Sequence, residues 1–162
     1  LQIYFLGERF RAQVEIGKSS LPFIQDRTIY EDAEIFAKTL WHQGSMTEVD
    51  YQNYVALFNC MVGFLRPPDL IVYLKASPDT LMARIGKRGR DSEKTIGIDY
   101  IQRLNDAYDD WMRRAALTCE VLEIDTDHVP MLGETPAFRG LVERLKRRYP
   151  PQAELRLDSG RP

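Results

Sequence analysis

The sequence predicts an α/β protein in which a parallel sheet is flanked by helices, and two observations support this class. Segments with apolar residues at helical spacing alternate along the chain with short apolar runs. The clearest run is Leu70–Lys75, and such a run is typical of a strand buried on both faces of a parallel sheet. The 162 residues, of which 44% are hydrophobic, are enough for one soluble domain.

The first half of the chain is predicted to contain three helices and one strand. Leu1–Ile16 has the periodicity of an amphipathic helix that ends at a Gly-Lys-Ser-Ser break. The short apolar run Leu21–Gln25 predicts a buried strand, which is followed by Asp26-Arg27. Helices are predicted over Asp32–Gln43 and Glu48–Leu65, the second beginning at a capping box and ending at a Pro-Pro pair.

The second half of the chain is predicted to alternate strands with helices. After Leu70–Lys75, the pair Ser77-Pro78 supplies an N-cap and a first-turn proline for a helix that runs to about Lys87. The remaining predicted elements are a helix from Ile98 or Asp99 to Leu117, a strand over Val121–Ile124, and a helix from Thr135-Pro136 to about Arg148. We expect residues 1–149 to form one domain and 150–162 to be a polar, flexible tail.

Composition excludes several classes of partner. The 22 basic and 24 acidic side chains leave no bulk charge for binding nucleic acid or a membrane surface. Two separate cysteines indicate neither a metal site nor a disulfide framework, and no signal peptide is recognisable, so we expect a cytoplasmic protein.

The pair Asp26-Arg27 is the first candidate for chemistry. Ligands bind beyond the carboxyl ends of strands in a parallel sheet, and this pair follows a predicted strand. An aspartate there can hold Mg²⁺ through water, and an arginine can brace a phosphate or a hydroxyl. The alternative is a salt bridge at the end of a strand.

The second candidate is the basic segment Arg84–Arg90. Arg84 and Arg88 are four residues apart on one helix face, where their like charges repel. A polyphosphate would relieve this repulsion, and nearby glycines would allow the segment, over about 84–97, to close as a lid. The alternative is a solvated basic face neutralised by neighbouring acidic residues.

The triplet Gly17-Lys18-Ser19 does not qualify as a phosphate-binding loop. A Walker A motif requires a second glycine five residues earlier, after a strand, whereas this chain has Ala12 there within a predicted helix. We therefore interpret the triplet as a turn.

Several segments, taken together and in order over roughly residues 1–150, resemble the deoxynucleoside kinase family of P-loop kinases, in particular its bacterial deoxyadenosine/deoxyguanosine kinases. An Asp-Arg pair after a strand and an Arg-Gly-Arg lid also occur in thymidylate kinases. Only the full set of matching segments, in this order, is specific to the deoxynucleoside kinases. The matching segments are Leu1–Gln13, Gln25–Asp32, Pro68–Leu74, Arg84–Arg90 and Ile98–Ile101.

The resemblance implies roles around the acceptor nucleoside. Gln2, Arg9 and Asp32 match positions that recognise the base, and their amide, guanidinium and carboxylate groups can read donor and acceptor edges of a purine. Phe36 matches an aromatic that packs on the base, and Arg27 matches a catalytic arginine beside the sugar 5′-hydroxyl.

The resemblance also implies roles around the phosphates. Asp26 matches an acidic residue near Mg²⁺. Arg84 and Arg88 match lid arginines that bind the donor nucleotide, and Arg88 and Arg90 match those that contact the transferring phosphoryl group. Glu93 matches the acid that bonds the sugar 3′-hydroxyl.

The sequence also departs from the family pattern, because it contains neither the N-terminal strand with its glycine-rich phosphate loop nor the second strand with its carboxylate base. We therefore expect a P-loop kinase-like sheet that lacks its N-terminal strands, in a chain that corresponds to the C-terminal two-thirds of a kinase and is inactive alone. For the intact protein, the resemblance implies transfer of phosphate from ATP, with Mg²⁺, to the 5′-hydroxyl of a purine deoxynucleoside, and a homodimer.

Two alternatives stay open at this point. A nucleoside monophosphate kinase of thymidylate kinase type would need extra cations for the acceptor's phosphate, which Arg9 and Arg11 could supply, although the acidic run Glu31-Asp32-Glu34 argues against it. A non-catalytic nucleotide-binding or dimerisation module is favoured only by the missing phosphate loop.

Overall fold

Two parallel strands, β1 (Leu70–Lys75) and β2 (Glu120–Asp125), pair in the computed structural model, which describes residues 1–128 and 135–150. Leu70 lies opposite Glu120 and Lys75 opposite Asp125. Parallel neighbours need a crossover connection, and here it consists of helices α5 (Pro78–Arg88) and α6 (Ile98–Ala115). The predicted α/β class with a parallel sheet flanked by helices is confirmed.

Three helices begin at residues that the sequence marks as N-caps. The side chains of Thr47, Ser77 and Thr135 each accept a hydrogen bond from the backbone N–H three residues later. Between Glu31 and Lys38 the helix widens into a π-helical segment, Asp32–Ala37, without interrupting the chain's helical course. The other helices are α1 (Gln2–Lys18), α2 (Ile29–Glu31), α3 (Lys38–His42), α4 (Glu48–Val62) and α7 (Pro136–Arg148).

The predicted strand Leu21–Gln25 is wrong, because this segment forms no strand in the structure. A strand exists only where its backbone groups pair with a neighbour, and in residues 1–128 and 135–150 the ladder joins β1 and β2 alone. The exposed fractions of Leu21, Phe23 and Ile24 are 58%, 55% and 93%. The expected break at Gly17 is also wrong by two residues, since α1 continues through Lys18.

The core consists of two clusters that meet at the π-helical segment. One cluster packs α1, α2 and α4 against two alanines of the π-helical segment. Its buried members are Leu6, Ile29, Ala33, Ala37 and Tyr54. The other cluster packs Ile35 against β1 and α6, and it comprises Ile35, Tyr73, Trp111 and Met112. Each large apolar side chain contributes roughly 1.5–3 kcal/mol on burial, so packing fixes the π-helical segment from two sides.

Some expectations concern residues that the structure does not describe. The predicted tail, 150–162, lies outside the described residues except for Pro150, and so does the segment 129–134 before α7. Within the described ranges, no helix combines the length and the apolar character needed to cross a membrane.

Candidate active site

The turn that precedes α2 places Arg27 in an unusual backbone conformation. Arg27 has φ 60°, in the left-handed region that side-chain-bearing residues seldom adopt. Its guanidinium carbon lies 4.9 Å from the ring centroid of Phe36, a cation–π distance. The structure therefore brings together two residues that the sequence assigned to the sugar and the base.

Arg9 and Asp32, the predicted base-reading residues, also meet at this turn. The Nε of Arg9 lies 3.7 Å from Oδ2 of Asp32, and its Nη1 donates a long hydrogen bond of 3.4 Å to the Asp26 carbonyl oxygen. Arg9 thus connects helix α1 to both the turn and the π-helical segment.

The Asp32 carboxylate is buried and only partly satisfied. Its side chain is 8% exposed, and Oδ2 accepts no hydrogen bond from any residue that the structure describes. Burial raises the pKa of Asp32, and this effect outweighs the opposing attraction of Arg9 and Arg27. An unsatisfied buried acceptor costs about 1–3 kcal/mol, and an N–H group on a ligand would remove that cost.

Glu31 lies in the site, although neither the sequence nor the resemblance assigned it a role there. Its Oε2 accepts a hydrogen bond from the Thr28 backbone N–H at 2.6 Å, and its Oε1 accepts one from the Tyr108 hydroxyl at 3.3 Å. Burial raises the pKa of Glu31, and the nearby Asp26 carboxylate raises it further. The capping-box spacing from Thr28 was a local signal for the first contact, whereas nothing in the sequence indicates the second.

The predicted lid residues Arg88 and Arg90 both contact Glu93. Nε and Nη2 of Arg88 donate a bidentate pair of hydrogen bonds to Glu93, at 3.0 and 2.8 Å, and Nη1 of Arg90 lies 3.7 Å from the same carboxylate. Gly89 ends α5 with φ 67°, so the chain reverses between the two arginines. Arg88 and Arg90 thus share Glu93 as a counter-charge.

Arg84 lies on the same helix but is held elsewhere. Both of its terminal nitrogens donate to Thr126, one to the hydroxyl at 3.0 Å and the other to the carbonyl oxygen. The Thr126 hydroxyl and backbone N–H in turn donate to the Lys75 carbonyl oxygen, each at 2.8 Å. Arg84 therefore ties α5 to the carboxyl ends of both strands.

The predicted residues form two groups. Arg9, Arg27, Asp32 and Phe36 surround the turn, and Gln2 lies half-buried at the beginning of α1. Arg88, Arg90 and Glu93 form the lid group. Within residues 1–128 and 135–150, no hydrogen bond or ion pair joins the groups.

Arg11, which a nucleoside monophosphate kinase would need for the acceptor's phosphate, is paired with Glu8 at 2.8 Å.

Asp26 presents a single exposed carboxylate at the turn. No group of three or more His, Cys, Asp or Glu side chains is arranged for a metal ion in the described part of the chain. Mg²⁺ in phosphoryl-transfer sites usually takes one or two protein carboxylates and completes its shell with water and substrate phosphates. The donor set at Asp26 fits such a partial site and does not fit a closed metal cage.

A parallel α/β fold with a buried carboxylate beside a guanidinium and a separate arginine-rich segment is compatible with nucleotide binding, because ligands bind beyond the carboxyl ends of parallel strands and arginines stabilise phosphate charge. Comparison with known families agrees, because residues 1–148 match the model of the deoxynucleoside kinases. The chain belongs to the deoxynucleoside kinase family.

Individual relatives differ in the nucleoside that they are named for. The chain is 35% identical over 147 residues to a deoxyadenosine/deoxycytidine kinase of Bacillus subtilis and 40% identical over 125 residues to a deoxyadenosine kinase of Dictyostelium discoideum. These alignments cover 90% and 77% of this chain. They cover 67% and 51% of the relatives, so the chain spans between half and two-thirds of their lengths. Human mitochondrial thymidine kinase 2 is 30% identical over 132 residues, covering 79% of this chain and 48% of that enzyme.

A similar fold is found in a deoxyadenosine kinase of M. mycoides. Its structure with the products dCMP and dCDP superposes with a TM-score of 0.76 at 28% identity, covering 90% of this chain and 72% of that one. The same enzyme with bound dATP gives a TM-score of 0.72 at 29% identity, with the same coverage.

Proposed function

We propose that the intact protein transfers a phosphoryl group from ATP to the 5′-hydroxyl of a purine deoxynucleoside, deoxyadenosine or deoxyguanosine, in nucleotide salvage. The observation that carries this proposal is the buried Asp32 carboxylate with its unsatisfied Oδ2 beside Arg9. A carboxylate accepts from an amino or ring N–H group, and a guanidinium donates to a ring nitrogen or carbonyl oxygen. A purine edge offers both kinds of partner.

The names of the relatives are compatible with a purine substrate, but they do not distinguish a purine from a pyrimidine. Two of them carry deoxyadenosine in their names, and others are named for deoxycytidine, deoxyguanosine or thymidine. The groups of Arg9, Asp32 and Gln2 can hydrogen-bond a purine edge, and the choice of a purine over a pyrimidine rests on the resemblance to the bacterial deoxyadenosine/deoxyguanosine kinases.

In this mechanism the chain's own residues bind and orient the reactants. Phe36 would pack on the base, with Arg27 released from the ring to hold the acceptor 5′-oxygen. Arg88 and Arg90 would stabilise negative charge on the transferring group, and Glu93 would accept a hydrogen bond from the sugar 3′-hydroxyl. Asp26 would hold Mg²⁺, which when bound neutralises charge on the phosphates.

The experiment uses the full-length gene product with ATP, Mg²⁺ and each of the four deoxynucleosides, and measures kcat/KM for each. The proposal expects the highest values for deoxyadenosine or deoxyguanosine. A preference for thymidine or deoxycytidine would contradict the purine assignment. Absence of phosphorylation with all four would contradict the kinase assignment itself.

A homodimer is also part of this proposal. Apolar side chains are exposed on α1 and α4, among them Ile3, Tyr4, Val49 and Leu57, and exposed apolar patches are typical of interaction surfaces. Light scattering of the full-length protein should give twice the monomer mass, and a monomer across the micromolar range would contradict this.

A further inference from the structure

The two carboxylate oxygens of Glu31 bind two different parts of the molecule. Oε2 accepts from the backbone N–H of Thr28, the residue that follows Arg27, and Oε1 accepts from the hydroxyl of Tyr108 on α6, 77 residues away in sequence. The side chain therefore joins the C-terminal side of the turn, at the N-cap of α2, to helix α6.

Tyr108 is a rigid partner for this contact. Its ring stacks on Tyr73 of β1 at a centroid distance of 6.0 Å and lies 6.3 Å from Trp111, which belongs to the second core cluster. A phenol held by aromatic packing keeps its hydroxyl in one place. The hydrogen bond from this hydroxyl to Glu31 therefore fixes the turn relative to the core.

The turn itself needs such support. A non-glycine residue at φ 60° is strained by roughly 1–3 kcal/mol, and it persists only where surrounding contacts fix it. The contacts observed around Arg27 are the Phe36 ring on its guanidinium, the long hydrogen bond from Arg9 to the Asp26 carbonyl oxygen before it, and the Glu31 carboxylate on the Thr28 N–H after it. If the guanidinium leaves Phe36 to meet a substrate, the 2.6 Å Glu31 contact is the shorter of the two that still hold the backbone.

We propose that Glu31 is a positioning residue for Arg27, which it holds in its left-handed conformation by joining the Thr28 backbone to Tyr108. This inference rests on the proposed kinase function. Glu31 touches neither reactant in this role. It sets where the Arg27 guanidinium can reach, and misplacement of a catalytic group by about 1 Å can lower a rate by up to 10²-fold.

The chain offers a matched control in Glu34, one turn later on the same helical stretch. Its Oε2 accepts a hydrogen bond from Arg114 of α6 at 2.7 Å. Glu34 therefore also joins this helix to α6 through a carboxylate, but it contacts neither Thr28 nor the turn. A general loosening of the helix against α6 would follow from either substitution, whereas misplacement of Arg27 would follow only from substitution of Glu31.

The test measures kcat and the deoxynucleoside KM for full-length variants. Glu31→Ala should lower kcat by about 10-fold or more with a smaller change in KM, because Arg9 and Asp32 are left intact. Glu31→Gln, which keeps one acceptor oxygen, should fall between Glu31→Ala and the wild type. Glu34→Ala should stay within about 2-fold of the wild type, since its pair is exposed.

A double variant tests whether the two contacts act as one unit. Tyr108→Phe alone should lower kcat, and adding it to Glu31→Ala should cause no further loss, because the hydroxyl has already lost its acceptor. Equal losses from Glu34→Ala and Glu31→Ala, or a wild-type kcat in Glu31→Ala, would overturn the proposal. If Glu31→Ala does not fold, a wild-type kcat in Tyr108→Phe overturns it.

These outcomes are distinguishable from failure of the proposed function. An inactive wild type with all four deoxynucleosides refutes the kinase proposal before any variant is compared. An active wild type with unaffected Glu31 variants refutes only the positioning role.

Discussion

The turn around Arg27 and the lid around Arg88 both present arginines, but they are held in opposite ways. Asp32 is buried, Glu31 is half-buried, and the guanidinium of the exposed Arg27 lies on the Phe36 ring. Arg88 is paired with a residue of its own segment, Glu93. The half of the site that is predicted to read the base is thus pre-formed beside the core, while the predicted lid is held by ion pairs of exposed arginines within one short segment.

This difference bears on how the lid would act. The Arg88–Glu93 pair joins two residues that were each predicted to meet a different reactant, the phosphates and the sugar. The pair uses Nε and Nη2 of Arg88, so a phosphate that binds through these same donors requires the pair to open.

The largest expected effect comes from the lid. Arg88→Ala should lower kcat of the full-length enzyme by about 10³-fold with little change in the deoxynucleoside Kd, since arginines that stabilise transferring phosphate can contribute that much. Steady-state kinetics with equilibrium binding would measure both quantities.

The control for this variant is Lys94→Ala, which removes an exposed cation paired with Asp91 at 2.6 Å in the same segment. It should leave kcat within about 2-fold of the wild type. An unchanged kcat in Arg88→Ala would remove Arg88 from the mechanism and leave the lid as a solvated basic face.

A smaller effect is expected from the pre-formed half. Asp32→Asn exchanges one acceptor oxygen for a donor amide, and the mismatch with a base N–H should raise KM by about 10- to 100-fold for the preferred nucleoside. Comparing kcat/KM for the four deoxynucleosides would reveal the change in selectivity. If the ranking and KM stay as in the wild type, Asp32 does not read the base.

Arg84→Ala should lower the stability of the protein more than it lowers kcat, although Arg84 lies on the same helix as Arg88. Loss of the bonds to Thr126 is expected to lower the free energy of unfolding by about 1 kcal/mol, which corresponds to a fall in Tm of about 2–4 °C. Thermal unfolding measures this, and kcat should fall far less than in Arg88→Ala. An unchanged Tm with a kcat as low as that of Arg88→Ala would favour the donor-binding role that the resemblance implies for Arg84 over an anchoring role.

The smallest effect concerns pH and stability. Because burial raises the pKa of Asp32 in the folded state, the ionised carboxylate destabilises folding at neutral pH. Asp32→Asn should therefore be more stable than the wild type at pH 7, by about 1 kcal/mol or less. This advantage should shrink as the pH falls through the raised pKa and vanish below about 4, where aspartate is protonated in both states. Urea unfolding at several pH values would test it, and a less stable variant at pH 7 would refute it.

Local signals in the sequence predicted most of the helices and both observed strands. Ser77-Pro78 and Thr135-Pro136 mark helix starts that the structure reproduces, because capping is decided within four residues. Leu21–Gln25 failed, since strand formation depends on a partner that an apolar run cannot specify. The bonds from Tyr108 to Glu31 and from Arg84 to Thr126 join residues 77 and 42 positions apart. Such contacts come from packing and leave no periodic trace in the sequence.

The π-helical segment Asp32–Ala37 has a consequence for how this site can vary in length. A π turn accommodates one more residue than an α turn, and each residue in an α-helix rotates the next by about 100°. Deleting one residue within the segment would let it return to α geometry while the helix that follows keeps its orientation. Deleting one residue from an α-helix would instead rotate everything that follows it. The segment is thus the place where this helical stretch can lose a residue without turning α3 against its neighbours.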